Sequence, residues 1–154
     1  MCIRDRNKIA QKREKRLIEV LSIFCVFVFM SSLFHNITLC YDLGKDDTET
    51  FIWLMIPESV AMLLMVFCSA LIFKILFNLK HKRVFIRENA RLVQFIGLAV
   101  MAYGTFLGLW KFVSPVETIA FMHNMFLLLG AFFVLIGSVF KAGIRIKEEQ
   151  DLTI

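Results

Sequence analysis

The 154-residue sequence lacks most of what an enzyme or a metal site is built from. Its four cysteines (Cys2, Cys25, Cys40 and Cys68) form no CxxC pair, so neither a structural zinc nor a redox dithiol is indicated. Cys25 and Cys68 fall inside apolar runs, where a cysteine serves as a small packing residue. There is no HExxH, no GxSxG elbow, no glycine-rich phosphate loop and no Ser/His/Asp constellation. No nucleic-acid recognition pattern accompanies the net charge of +5. Little chain is left outside the apolar runs to build a soluble catalytic domain. These absences predict a non-enzyme without metal or cofactor.

Charge is also scarce, but only locally. A hydrophobic share of 58% and a mean hydropathy of +0.71 lie above soluble globular domains, which run about 45–50% apolar. The apolar residues gather in runs at Val20–Tyr41, Phe51–Phe77, Leu92–Trp110 and Ile119–Phe140. A helix needs about 20 such residues to cross a hydrocarbon core of roughly 30 Å. The expected fold is all-α: a polytopic membrane protein with four transmembrane helices in a bundle, spanning about 20–41, 51–77, 92–112 and 116–140. A basic segment 1–16 precedes the membrane domain 17–140, and a tail 141–154 follows it.

The cations then orient the spans. Of eighteen Lys and Arg residues, seven lie in 1–19, five in 78–91 and three in 141–154; Lys45, Lys74 and Lys111 lie elsewhere. Cytoplasmic loops carry the positive excess, which predicts both termini and the middle loop inside. Residues 42–50 carry a net −3 and Lys111–Thr118 is neutral, as outer links should be. Tyr41, Trp53, Trp110 and Phe112 cluster at that outer level, where aromatic belts form. Attraction to anionic lipid accounts for the basic segments without nucleic acid. The first apolar run is too long for a signal peptide, and no small-residue cleavage site follows it. Met1–Arg6 looks like a translated sequencing-adapter remnant and carries no weight for the fold; Lys8, Lys12, Arg13, Lys15 and Arg16 keep the segment basic without it.

Inside the membrane, two local patterns stand out. Gly97, Gly104 and Gly108 on the third helix and Gly130 and Gly137 on the fourth mark a close-packing face. That face serves intramolecular packing or, alternatively, a homo-oligomer. Ser114-Pro115-Val116-Glu117 reads as a capping box opening the fourth helix. Pro57 either opens the second span after an interfacial turn or kinks one long helix. Pro57-Glu58-Ser59 and His35-Asn36 are echoed by Pro115-Val116-Glu117 and His123-Asn124. The echo is a weak parallel repeat, or simply shared helix-start chemistry.

Polar residues at depth are the candidates for chemistry. His35, Glu58, His123 and Asn124 form a possible intramembrane cluster, suited to relaying protons or holding an ion. Their spacing matches no specific motif, and interhelical hydrogen bonding is the plainer reading. The inner face offers more surface. Its loop interleaves cations with apolar residues: Lys82, Arg83, Val84, Phe85, Arg87, Glu88, Asn89 and Arg91. Its tail carries Glu148, Glu149 and Asp151 before the β-prone ending Leu152-Thr153-Ile154. Such an ending either folds back onto the loop's cations or adds to a partner as a short strand.

The segments Val84-Phe85-Ile86-Arg87-Glu88-Asn89, Arg91-Leu92, Ile96-Gly97, Val139-Phe140-Lys141-Ala142-Gly143 and Glu148–Ile154 together resemble a bacterial membrane family. It is known as domain of unknown function 2975, and the likeness covers roughly residues 17–154. Members often carry Gly before the central Val-Phe or Pro-Phe pair, where this chain has Lys82-Arg83. The resemblance implies a four-helix protein of the bacterial cell membrane without an assigned activity. Genes of the family are often found beside those of small helix-turn-helix regulators. The expected role is therefore a non-enzymatic partner, in the lipid bilayer, for a small cytoplasmic DNA-binding regulator. The chain itself is not expected to touch nucleic acid. The alternatives are a small transporter or ion sensor and a structural subunit of a membrane complex.

Overall fold

In the computed structural model, residues 3–45, 49–81, 83–114 and 121–151 are described. They form four helices: α1 (Ile3–Leu43), α2 (Glu49–Lys80), α3 (Arg87–Val113) and α4 (Phe121–Asp151). All four are long and apolar enough to cross a membrane. Each helix extends past its apolar run where the flanking residues are described. α3 starts at Arg87 rather than Leu92, and α4 continues beyond Phe140 to Asp151. Lys, Arg and Glu are good helix formers, so the flanks prolong the helix once it leaves the apolar layer. The tail is accordingly helical through Asp151, whereas Leu152–Ile154 lie outside the described residues. So do residues 115–120, which hold the expected start of the fourth span and most of its capping box. Ser114 serves as the C-cap of α3, its N–H donating to the Trp110 carbonyl at 2.9 Å.

Consecutive helices run antiparallel. α1 packs on α2, α2 on α3 and α3 on α4, and no other helix pair touches among the described residues. The bundle is therefore open: two hairpins side by side, joined only through α2 and α3. This alternation brings the start of α1, the α2–α3 loop and the end of α4 to one end, here called the basic end.

Pro57 explains much of the α2–α3 joint. α2 runs unbroken through it, so the interfacial-turn alternative does not apply. A proline has no N–H, and the carbonyl four residues earlier loses its helical donor. That carbonyl belongs to Trp53, and the Trp110 indole of α3 donates to it at 3.3 Å. One turn further in, the Tyr103 hydroxyl donates to the Pro57 carbonyl at 3.0 Å. In hydrocarbon no water would satisfy an abandoned carbonyl, so such a donor is needed from a neighbouring helix. The indole rings of Trp53 and Trp110 also lie 5.2 Å apart.

The α3–α4 contact is set by glycine. A Cβ placed on Gly97 would sit 2.8 Å from the Gly130 carbonyl and the Val134 nitrogen. One on Gly130 would lie 2.7 Å from the Gly97 carbonyl and the Met101 nitrogen. Gly104 faces Leu127 and the His123 carbonyl, and Gly137 faces Gln94 and Ala90. Gly108 is looser, with its nearest neighbour 3.8 Å away. Where apolar burial gives no advantage over lipid, such backbone approach is what holds helices together. The glycines thus sit on an intramolecular seam.

Away from these seams the helices present large apolar side chains outward. On α1 these include Val20, Ile23, Phe24, Phe27, Phe34 and Ile37. In water such a surface would be prohibitive; in a bilayer it is the lipid-facing side. Phe112, at the end opposite the basic one, is 87% exposed.

Candidate functional site

The basic end is organised around Asn89. The loop between α2 and α3 must turn the chain in six residues, His81–Ile86, and no glycine or proline helps it. Asn89 supplies the missing order. Its side-chain nitrogen donates to the carbonyls of Arg83 at 2.8 Å and Val84 at 3.0 Å, while its oxygen accepts from Asn78 of α2 at 2.8 Å. The Arg83 N–H in turn donates to the Asn78 carbonyl at 3.0 Å. Asn89 was expected on the exposed loop, but it is only 1% exposed. It is therefore unavailable to a partner; its role is to fix the loop that a partner would meet.

Side chains then tie the loop to the end of α4. The Phe85 ring lies 6.0 Å from the Phe140 ring, and it also faces Gly143, where an added Cβ would be in ordinary contact with it at 3.6 Å. One guanidinium nitrogen of Arg87 reaches both carboxylate oxygens of Glu148, at 3.0 and 2.9 Å. Lys74, one of the cations outside the basic segments, pairs with Glu88 at 2.7 Å across α2 and α3. Glu149 stands one turn from Arg145 at 3.7 Å. These pairs are exposed, so solvent screening leaves each of them weak. Their effect is to hold the loop and the α4 extension in one arrangement.

Several expected docking residues remain at the surface. Arg83, Val84 and Arg91 are exposed, and Phe85 is 53% exposed despite its contact with α4. Lys82, Leu152 and Ile154 lie outside the described residues, and Asp151 is placed only as the last residue of α4. Glu148 of the tail pairs with Arg87, while the apolar ending Leu152–Ile154, for which fold-back and strand addition are the alternatives, lies outside the described residues.

The intramembrane polar residues do not assemble into one site. His35 of α1 and Glu58 of α2 bond at 2.8 Å, and Ser59 donates to the Asn36 amide oxygen at 2.8 Å. These two rungs pin α1 to α2. His123 sits elsewhere, on the α3–α4 seam beside Gly104 and Gly108, and Asn124 is exposed. Among the described residues no three His, Cys, Asp or Glu side chains converge to hold a metal ion. The echoed His-Asn pairs also occupy different places: one lies near the end of the first helix of its hairpin, the other at the start of the second.

The sequence signals for Asn89 as a clamp and for Trp110 as a donor to Trp53 were absent. Both depend on the register between helices. The missing N–H of Pro57 was the one available hint, since it requires an outside donor for Trp53.

The fold defines a class: a multi-pass membrane protein of four apolar helices, with a structured loop and helix extension at the basic end. Within that class, residues 19–154 match the family described as Protein of unknown function (DUF2975), and the chain belongs to it. No curated protein matches the chain, and no solved structure matches it.

Proposed function

We propose that this chain is a non-enzymatic membrane protein that docks a small cytoplasmic regulator of the helix-turn-helix type at its basic end. In this reading the membrane is the bacterial cytoplasmic membrane, and both termini and the α2–α3 loop face the cytoplasm. The concentration of cations at that end supports the orientation. One observation carries the docking proposal. The segments on which the family resemblance rests, 84–89, 139–143 and 148–151, pack on each other through Phe85–Phe140 and Arg87–Glu148. A surface ordered before its partner arrives loses less entropy on binding. The platform offers cations at Arg83 and Arg91, an exposed aromatic edge at Phe85, and a helix reaching about 16 Å past Phe140 at 1.5 Å per residue. The test is co-purification with the helix-turn-helix protein of its own genomic neighbourhood, with and without Asp151–Ile154. The proposal expects recovery to fall on truncation; equal recovery from both forms, or none from either, refutes it.

A second reading rests on the His35–Glu58 pair, an ionisable couple inside the apolar part of the α1–α2 hairpin. Such pairs are costly in lipid and often functional. It expects Glu58→Gln to change a pH response in vesicles while the hairpin stays folded. An unchanged response removes it.

A further inference from the structure

Between the N-terminal turns of α3 and the extension of α4 lies a cleft of about 300 Å³, lined by Arg87, Arg91, Lys141, Ile144, Arg145 and Glu148. Four of the six are cations and one is a carboxylate. Glu148 is already engaged by Arg87 through both oxygens. Among the described residues, the ion pair of Arg145 is a long one, to Glu149 at 3.7 Å. Arg91 and Lys141 form no ion pair among the described residues. The cleft therefore holds more positive charge than its own carboxylate balances, and Ile144, 6% exposed, is its apolar wall.

Its depth identifies the ligand. Arg91 immediately precedes Leu92, where the apolar run of α3 begins, and Lys141 immediately follows Phe140, where that of α4 ends. Arg87 and Arg145 stand one helical turn further out, about 6 Å. The cations form two tiers at the boundary between hydrocarbon and water, the level of lipid phosphates. Basic pockets between membrane helices at this level suit anionic headgroups, and guanidinium is well matched to phosphate oxygens.

We propose that this cleft binds the phosphodiester headgroup of an anionic phospholipid, held by Arg91 and Lys141 at the inner tier and Arg145 at the outer. The site shares Arg91 with the regulator platform but leaves Arg83, Val84 and Phe85 uncovered, and lipid retention is read without the regulator. It stands or falls independently of that proposal.

The test is native mass spectrometry of the full chain released from nanodiscs containing phosphatidylglycerol and phosphatidylethanolamine. The wild type should retain phosphatidylglycerol selectively. With about fivefold in affinity per cation, Arg91→Gln with Lys141→Gln should weaken retention about 25-fold. Arg145→Gln alone, on an exposed turn, should weaken it about fivefold, so the proposal remains testable if the double variant folds poorly. Lys45→Gln, at the opposite end of the bundle beyond α1, should leave it unchanged. Equal retention by all variants overturns the site. Full displacement of the lipid by millimolar inorganic phosphate, bound equally well alone, reassigns it to a soluble anion and overturns the lipid proposal. Capture of an acidic peptide with no lipid selectivity overturns it too.

Discussion

Asn89→Leu removes three hydrogen bonds at once while keeping the number of side-chain heavy atoms. The carbonyls of Arg83 and Val84 lose donors at 2.8 and 3.0 Å, and the Asn78 amide loses its acceptor at 2.8 Å. A buried polar group left without a partner costs about 1–3 kcal/mol. Asn78 and the loop carbonyls lie near the surface and regain some water, which lowers the total to about 2–4 kcal/mol for opening the loop. At 1.4 kcal/mol per factor of ten, the lower bound is an increase of about thirtyfold in the opening equilibrium. Hydrogen–deuterium exchange in nanodiscs reads it directly at the Arg83 amide, which donates to the Asn78 carbonyl. Exchange there should accelerate at least about thirtyfold while α1 amides near Phe27 stay slow. An Arg83 amide exchanging within threefold of the wild type would show that the loop is ordered by something else.

Three further outcomes follow from the same packing. Gly130→Leu should cost about 1–3 kcal/mol and lower the thermal midpoint in detergent, because its Cβ would meet the α3 backbone at 2.7 Å. Gly108→Ala, with its nearest atom 3.8 Å away, should cost nothing measurable, and equal losses for the two would refute the seam. Trp110→Phe should destabilise by about 1–2 kcal/mol by orphaning the Trp53 carbonyl. In a Pro57→Ala background α2 regains its own donor to Trp53, so the same substitution should cost clearly less; strict additivity contradicts the account. Single cysteines at Arg13 and Arg145 should react with an impermeant thiol reagent from the same side of sealed vesicles, and one at Gly44 from the other side.

The four helices were legible because apolar runs of spanning length allow few alternatives. The glycine seam was legible in part: Gly97, Gly104, Gly130 and Gly137 meet backbone across it, whereas Gly108, the second half of the Gly104–Gly108 small-residue step, is only loosely packed. Boundaries were less so: Arg87–Arg91 and Lys141–Asp151 are polar, and whether such residues prolong a helix depends on what they meet. Arg87 meets Glu148, and Phe85 meets Phe140 and Gly143, contacts between positions more than fifty residues apart. Asn89 shows the limit most clearly. By composition it belonged with the exposed polar loop, yet the α2–α3 crossing places Asn78 opposite it and buries it. The expected bundle is realised as an open row of hairpins, because α1 and α4 each find one neighbour and leave the rest of their apolar surface to lipid.

In the proposed function the α2–α3 loop and the α4 extension act as one docking surface. The direct measurement is the affinity of the helix-turn-helix regulator for the nanodisc-embedded chain across a charge-swap cycle at Arg87 and Glu148. Arg87→Glu and Glu148→Arg each place like charges where the structure has a pair at 2.9 Å. Each single variant should weaken binding about five- to tenfold, and the double variant, which restores the pair with reversed polarity, should recover most of the loss. Equal affinity in all four proteins, or additive losses in the double variant, would contradict it.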